Sequence, residues 1–244
     1  MRLYIARHGQ KASVDPGYTG GPNPPLTETG IQQADHLAEF LAAEGIDGLY
    51  SSCQLRSLMT AEPLAHRVDV PWNVWPMFTE TSSAEWRGWH EDDPDVALDA
   101  VAWDSDGPSA TRAFDWANPE DMGYRLSEIE EEFPDITLSQ PFPWPDRWWE
   151  PLYPRFQERG YARLAMGLQA VFEYHDHDDH IAILCHGNIG DLMKTYLMDM
   201  PRRQRGRRFS FDNAGLSRLE CGETENWWIV YANSREHLPE ELCD

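Results

Sequence analysis

No apolar run in the sequence approaches the ~20 residues that a membrane-spanning helix needs. Cysteine is scarce as well. The four thiols are Cys53, Cys185, Cys221 and Cys243, and none forms a C-x-x-C pair. A disulfide framework is therefore not expected. The first residues already read as a strand, with no signal-peptide pattern before them, so a reduced, cytoplasmic protein is expected. Positive charge is also in short supply: 20 Lys and Arg stand against 42 Asp and Glu, a net charge of −22. Such a field opposes DNA, RNA and anionic membranes, so none of these is expected as a partner. It also opposes any anionic small molecule, unless a site gathers local positive charge.

What the sequence does contain suits one α/β domain over residues 1–244 with an elaboration. The chain has 244 residues, 41% of them hydrophobic, which is enough for a core. Arg2–Ala6 reads as a buried strand and 10–25, rich in Gly and Pro, as a loop. Thr27 has the place of an N-cap; Ile31, Ala34, Leu37, Ala38 and Leu41 follow at helical spacing, and Gly45 stops the helix. Gly48–Tyr50 and Pro71–Val74 read as short strands. A long helix is predicted within 151–175. His180–Cys185 is a continuous apolar strand of the buried parallel type, with a helix after it through Leu197. Leu216–Cys221 and Trp227–Tyr231 read as an edge hairpin. Strands alternating with helices predict a mostly parallel central sheet with helices on both faces.

One segment differs in kind. Between Glu91 and Glu150 fall 17 acidic and three basic residues, a net of −14 within the total of −22, together with Trp103, Trp116, Trp144, Trp148 and Trp149. Acidity alone would favour disorder. With this many tryptophans, a compact insertion or cap within about 90–150 is expected, its aromatic faces turned inward. Either the tryptophans face a pocket and select an apolar organic group, or they form only the cap's own core. His175–His180, with three histidines among acids, lacks a rigid helical spacing and reads as a solvated turn rather than a metal site. The arginines from Arg202 to Arg208 read as a surface loop pairing with the acidic body.

Three strand ends carry the chemistry. Residues 4–9 end in Arg7-His8-Gly9, residues 181–187 in Cys185-His186-Gly187, and Ser51-Ser52 leads into a helix bearing Arg56. In a parallel sheet, ligands sit outside the carboxyl ends of the strands. Two histidines and two arginines should therefore converge, and arginine's planar donors match phosphate oxygens.

This set resembles the histidine phosphatase superfamily, the phosphoglycerate-mutase-like enzymes. The resemblance rests on Arg7-His8-Gly9, Leu26-Thr27-x-x-Gly30-x-x-Gln33-Ala34, Ser51-Ser52-x-x-x-Arg56-x-x-x-Thr60-Ala61, Cys185-His186-Gly187-Asn188, Asp212-Asn213 and Asn233-x-x-x-His237-Leu238. It covers about 1–89 and 124–238. It implies that His8 is the nucleophile that takes up a phosphoryl group, and that Arg7, Arg56 and His186 clamp the phosphate oxygens. Gly187 and Asn188 are assigned to substrate binding. The family's acid lies in a segment E-x-x-x-G-x-W-E-G. Here Glu80, Trp86 and Gly88 match, while Ala84 and Arg87 depart from it. Glu80 is the chosen acid, with Glu85 the alternative. No metal and no cofactor is expected.

The first expectation is a phosphomonoester hydrolase acting on a small phosphorylated metabolite through a phosphohistidine. The second is a phosphoglycerate-mutase-type phosphotransferase. Thr19-Gly20 and Asn188 lean that way, but retaining a bisphosphorylated intermediate needs extra cations, and Glu91–Glu150 offers only Arg112, Arg125 and Arg147. The third is a non-catalytic phosphate-binding protein, which would be expected to have lost His8 or Glu80.

Overall fold

A computed structural model describes residues 1–20, 23–80, 123–138, 144–148, 160–200, 208–222 and 226–243. A seven-stranded sheet runs through them. Its strands are β1 (Arg2–Arg7), β2 (Gly48–Ser51), β3 (Trp72–Val74), β4 (Ile136–Thr137), β5 (His180–Cys185), β6 (Leu216–Cys221) and β7 (Trp227–Ser234). The spatial order is β4-β3-β2-β5-β1-β6-β7. The first five strands in this order are mutually parallel, and β6 and β7 close one edge as an antiparallel hairpin. The helices are α1 (Glu28–Ala43), α2 (Leu55–Ala65), α3 (Leu126–Glu132), α4 (Gly160–Tyr174) and α5 (Gly187–Leu197).

Side-chain alternation along β1 explains the two layers. Tyr4 and Ala6 face a core built with Leu37, Ala38 and Leu41 of α1, Leu58, Ala61 and Leu64 of α2, and Leu126 and Ile129 of α3. Leu3 and Ile5 face the other core, built with Leu164, Leu168 and Val171 of α4 and Ile189, Leu192 and Met193 of α5. Each fully buried aliphatic side chain contributes about 1.5–3 kcal/mol. Because β1 and β5 are buried on both faces, they read as unbroken apolar runs.

The expected elements are present, with differences at their ends. Strand β7 runs on to Ser234, beyond the apolar stretch that marks it in the sequence. Strand β4 is two residues long and pairs with β3, too short to leave a periodic signal. Together with α3 it shows that part of the acidic stretch belongs to the body. Trp148 is fully buried in the α1–α3 core, and its indole N–H donates to the Tyr124 carbonyl at 3.0 Å. Trp144 is partly buried against both cores. Trp103, Trp116 and Trp149 lie outside the described residues, as do Arg202, Arg203, Arg205 and Arg207. In the turn from His175, the ring nitrogens are engaged within the protein. His175 bonds Tyr50 and Asp179, His177 the Gly222 carbonyl and His180 the Glu44 carbonyl. Among the described residues, no helix is long and apolar enough to cross a membrane.

Candidate active site

The carboxyl ends of β1, β2 and β5 bring His8, Ser52 and His186 together. Parallel register does this directly: the His8 amide donates to the Cys185 carbonyl at 3.0 Å, and the Ser52 amide to the Leu184 carbonyl at 3.2 Å. The rings of His8 and His186 lie 5.2 Å apart between centroids. Arg7, His8, Arg56 and His186 are all buried.

The motif around Thr27 locks the turn after His8. Thr27 caps α1 by accepting the Gly30 amide at 3.0 Å, and its hydroxyl donates to the side chain of Gln10 at 2.8 Å. Gln33 accepts the Gln10 amide at 2.7 Å. Thr60 of α2 accepts the Gly9 amide at 3.1 Å. Gly9 and Gly30 are in backbone contact. A Cβ on Gly30 would run into the Gln10 carbonyl, and one on Gly9 into the Gly30 carbonyl. Glycine is needed at both positions for this close approach.

The His8 ring is held in one tautomer. Its Nδ1 lies 2.7 Å from the Gly9 carbonyl oxygen. A carbonyl only accepts, so Nδ1 carries the proton and Nε2 keeps the lone pair. Burial, followed by the charges of Arg56 and Arg7, holds the His8 ring well below the usual imidazole range, so it is neutral at pH 7. The same causes act on His186. Its Nε2 lies 2.6 Å from Ser52 Oγ, and that oxygen accepts the Gln54 amide at 3.2 Å. A Ser52 hydroxyl donating to Nε2 leaves the His186 proton on Nδ1. That atom is buried and has no protein hydrogen-bond partner among the described residues, so it is suited to donate to a ligand oxygen.

The arginines are held by groups that no motif announces. Arg7 Nη1 donates to the Phe211 carbonyl at 2.8 Å. The Phe211 ring covers Gly190, where any Cβ would strike it, and the Lys194 ammonium sits 3.8 Å from its centroid. Arg56 Nη2 donates to Gln54 Oε1 at 3.1 Å. The tail motif serves the same loop: Asn233, at φ 55°, accepts the Asp212 amide at 2.7 Å and donates to the Asp212 carboxylate at 2.9 Å. Asn233 thus caps a turn.

Glu80 reaches the same place from the end of β3. A 3₁₀ turn, Pro76–Phe78, precedes it. Buried Arg163 of α4 donates to the Pro76 carbonyl at 2.8 Å and to the Thr79 carbonyl at 2.9 Å. The Glu80 carboxylate accepts the Asn188 amide at 3.3 Å and the Ile189 amide at 3.1 Å. These belong to the first turn of α5, where unpaired N–H groups favour anions. Gly187 and Asn188 open that helix directly after His186. Glu85, Trp86, Arg87 and Gly88 lie outside the described residues. Sequence reading missed the roles of Ser52, Gln54, Arg163 and Phe211. Only Ser52 had a signal, its place in the Ser51-Ser52 motif.

The cluster gathers two guanidiniums, a neutral histidine whose Nε2 carries no proton, a second histidine able to donate, and a carboxylate, groups able to cradle an anion. Adenosylcobalamin/alpha-ribazole phosphatase of Escherichia coli K12 is 31% identical over 109 residues, 43% of this chain and 54% of the relative. The chain thus spans about half the length of the curated relative it matches. The fold is that of the alpha-ribazole phosphatase of Shigella flexneri, with a TM-score of 0.59 at 20% identity, covering 96% of this chain and 97% of that one. It is also that of a mycobacterial glucosyl-3-phosphoglycerate phosphatase, with a TM-score of 0.57 at 19% identity over 96% and 98% of the two chains. Residues 3–135, more than half the chain and including Arg7, His8, Arg56 and Glu80, match the histidine phosphatase superfamily (branch 1), and the protein belongs to that superfamily.

Proposed function

We propose that the protein is a phosphomonoester hydrolase that acts on a small phosphorylated metabolite through a phosphohistidine at His8. The observation that carries this reading is the Nδ1 bond from His8 to the Gly9 carbonyl, which leaves Nε2 as a buried, neutral nucleophile among cations.

Arg7, Arg56 and His186 bind the phosphoryl oxygens and stabilise the charge that develops on them. The partial positive charge at the start of α5, at Gly187 and Asn188, favours the same dianion. His8 Nε2 attacks phosphorus, the ester P–O bond breaks, and Glu80 gives its proton to the leaving oxygen. In the second half, Glu80 takes a proton from water, the water oxygen bonds to phosphorus, and the N–P bond breaks. Orthophosphate leaves and His8 is regenerated.

Hydrolysis is favoured over transfer because water needs no retained second anion. The relatives above also carry phosphatase names. A panel of metabolite phosphates assayed for free phosphate and for rearranged phosphate esters tests this. Orthophosphate as the sole phosphorus product supports the hydrolase; a transferred phosphoryl group supports the mutase.

A further inference from the structure

We infer that Gln54 is a positioning residue that joins the phosphate clamp to the acid. Its single side-chain oxygen, Oε1, accepts from Arg56 Nη2 at 3.1 Å and from the backbone N–H of Glu80 at 3.2 Å. Both partners are donors, so the amide has one orientation: its oxygen faces them and its NH₂ end does not.

The place of Gln54 in the fold sharpens the point. It is the N-cap residue of α2, yet its side chain makes no cap hydrogen bond. Polar N-cap residues ordinarily satisfy the first amides of their own helix. Here Asn23 does part of that work, accepting the Leu55 amide at 2.9 Å. Ser52 accepts the Gln54 amide, which fixes the backbone of the cap. The Gln54 side chain is thereby turned from its helix to the two reacting motifs.

The acid segment is then pinned from two sides. Arg163 holds the carbonyls of Pro76 and Thr79, and Gln54 holds the next amide, that of Glu80. Gln54 also touches a phosphate-binding side chain, that of Arg56. A movement of the Arg56 guanidinium toward a bound phosphate is passed through one oxygen atom to the backbone of Glu80. The acid is thus aligned to the leaving oxygen when the clamp is filled.

This inference rests on the reading of Glu80 as the acid, and the test separates the two. Q54L, E80Q and the double variant are compared on an alkyl phosphate and on an aryl phosphate with a good leaving group. Melting temperature and inhibition by inorganic phosphate are followed in parallel. Q54L should lower kcat on the alkyl ester about tenfold, the scale of one or two lost hydrogen bonds. It should lower the aryl rate by less, through the loosened Arg56, and its alkyl-selective part should vanish in the E80Q background. Q54E keeps an acceptor oxygen, so its alkyl-to-aryl ratio should stay near wild type while phosphate binding weakens, which also serves if Q54L folds poorly. Alkyl-selective loss in E80Q, with equal or no loss in Q54L, overturns the role of Gln54 alone. An alkyl-selective Q54L loss that simply adds to that of E80Q does the same. Absence of alkyl selectivity in E80Q overturns both.

Discussion

Glu80 Oε1 lies 3.1 Å from the amide nitrogen of Ile189, so the helix that follows His186 also holds Glu80. One element thereby sets the distance between His186 and the Glu80 carboxylate. Glu80→Gln keeps an oxygen for that amide but has no acidic proton. It should slow alkyl phosphates by about 10²–10⁴-fold and aryl phosphates much less. Steady-state kinetics on a leaving-group series checks this. Equal losses across the series would remove Glu80 from the role of acid.

Ser52 is expected to act through His186. With Ser52→Ala, the 2.6 Å partner of Nε2 is lost and the ring is free to change tautomer. A buried polar atom left without its partner costs about 1–3 kcal/mol, so kcat should fall about tenfold or more. Melting temperature and kcat measured together distinguish this from general destabilisation. Unchanged kcat would show that the tautomer does not depend on Ser52.

Gly30 tests the packing of the turn after His8. In Gly30→Ala the new methyl meets the Gln10 carbonyl, a backbone atom with nowhere to go. Overpacking of this kind costs about 2–3 kcal/mol, which lowers Tm by about 4–12 °C in a domain of this size. Activity should fall too, since the strained turn carries His8. A variant as stable and active as wild type would mean that the Gly9–Gly30 contact is not needed.

The buried histidines give stability a definite pH dependence. His8 and His186 are held well below 6.5 by burial and then by Arg56 and Arg7, and His237 is lowered to about 4, chiefly by burial. Below pH 6.5 the unfolded chain takes up protons that these folded rings refuse. Their contribution is therefore neutral above about pH 6.5, and stability falls as pH drops toward the folded values. Tm should decline from pH 7 to 5, and less steeply in His237→Gln. An equally steep decline in that variant would show that His237 is not a source. Activity should not show an acid limb at 6.5 from His8, because the folded ring stays neutral there.

Much of this arrangement was legible because its signals are local. Unbroken apolar runs mark β1 and β5, Thr27 marks the start of α1, and Arg7-His8-Gly9 and His186-Gly187 mark the strand ends. Parallel topology then requires these ends to meet. Strand β4 was not legible, since two residues carry no period and its pairing with β3 is set by the tertiary fold. Nor were the supports of the site. Phe211 acts through its carbonyl, which every residue has, and Arg163 and Gln54 work across distances in sequence that no motif spans. Trp148 shows the same limit: composition identified an aromatic segment, but only the fold places this ring in the body's core rather than in a pocket.

The central claim is that His8 Nε2 becomes covalently bonded to phosphorus. Rapid quench of the wild-type enzyme during turnover, under alkaline conditions that preserve phosphohistidine, followed by peptide mass spectrometry, tests it most directly. The account predicts one added phosphoryl group on the peptide containing His8, formed at least as fast as turnover, and neither adduct nor turnover in His8→Ala. Turnover without any adduct at His8, or wild-type-like activity in His8→Ala, would contradict it.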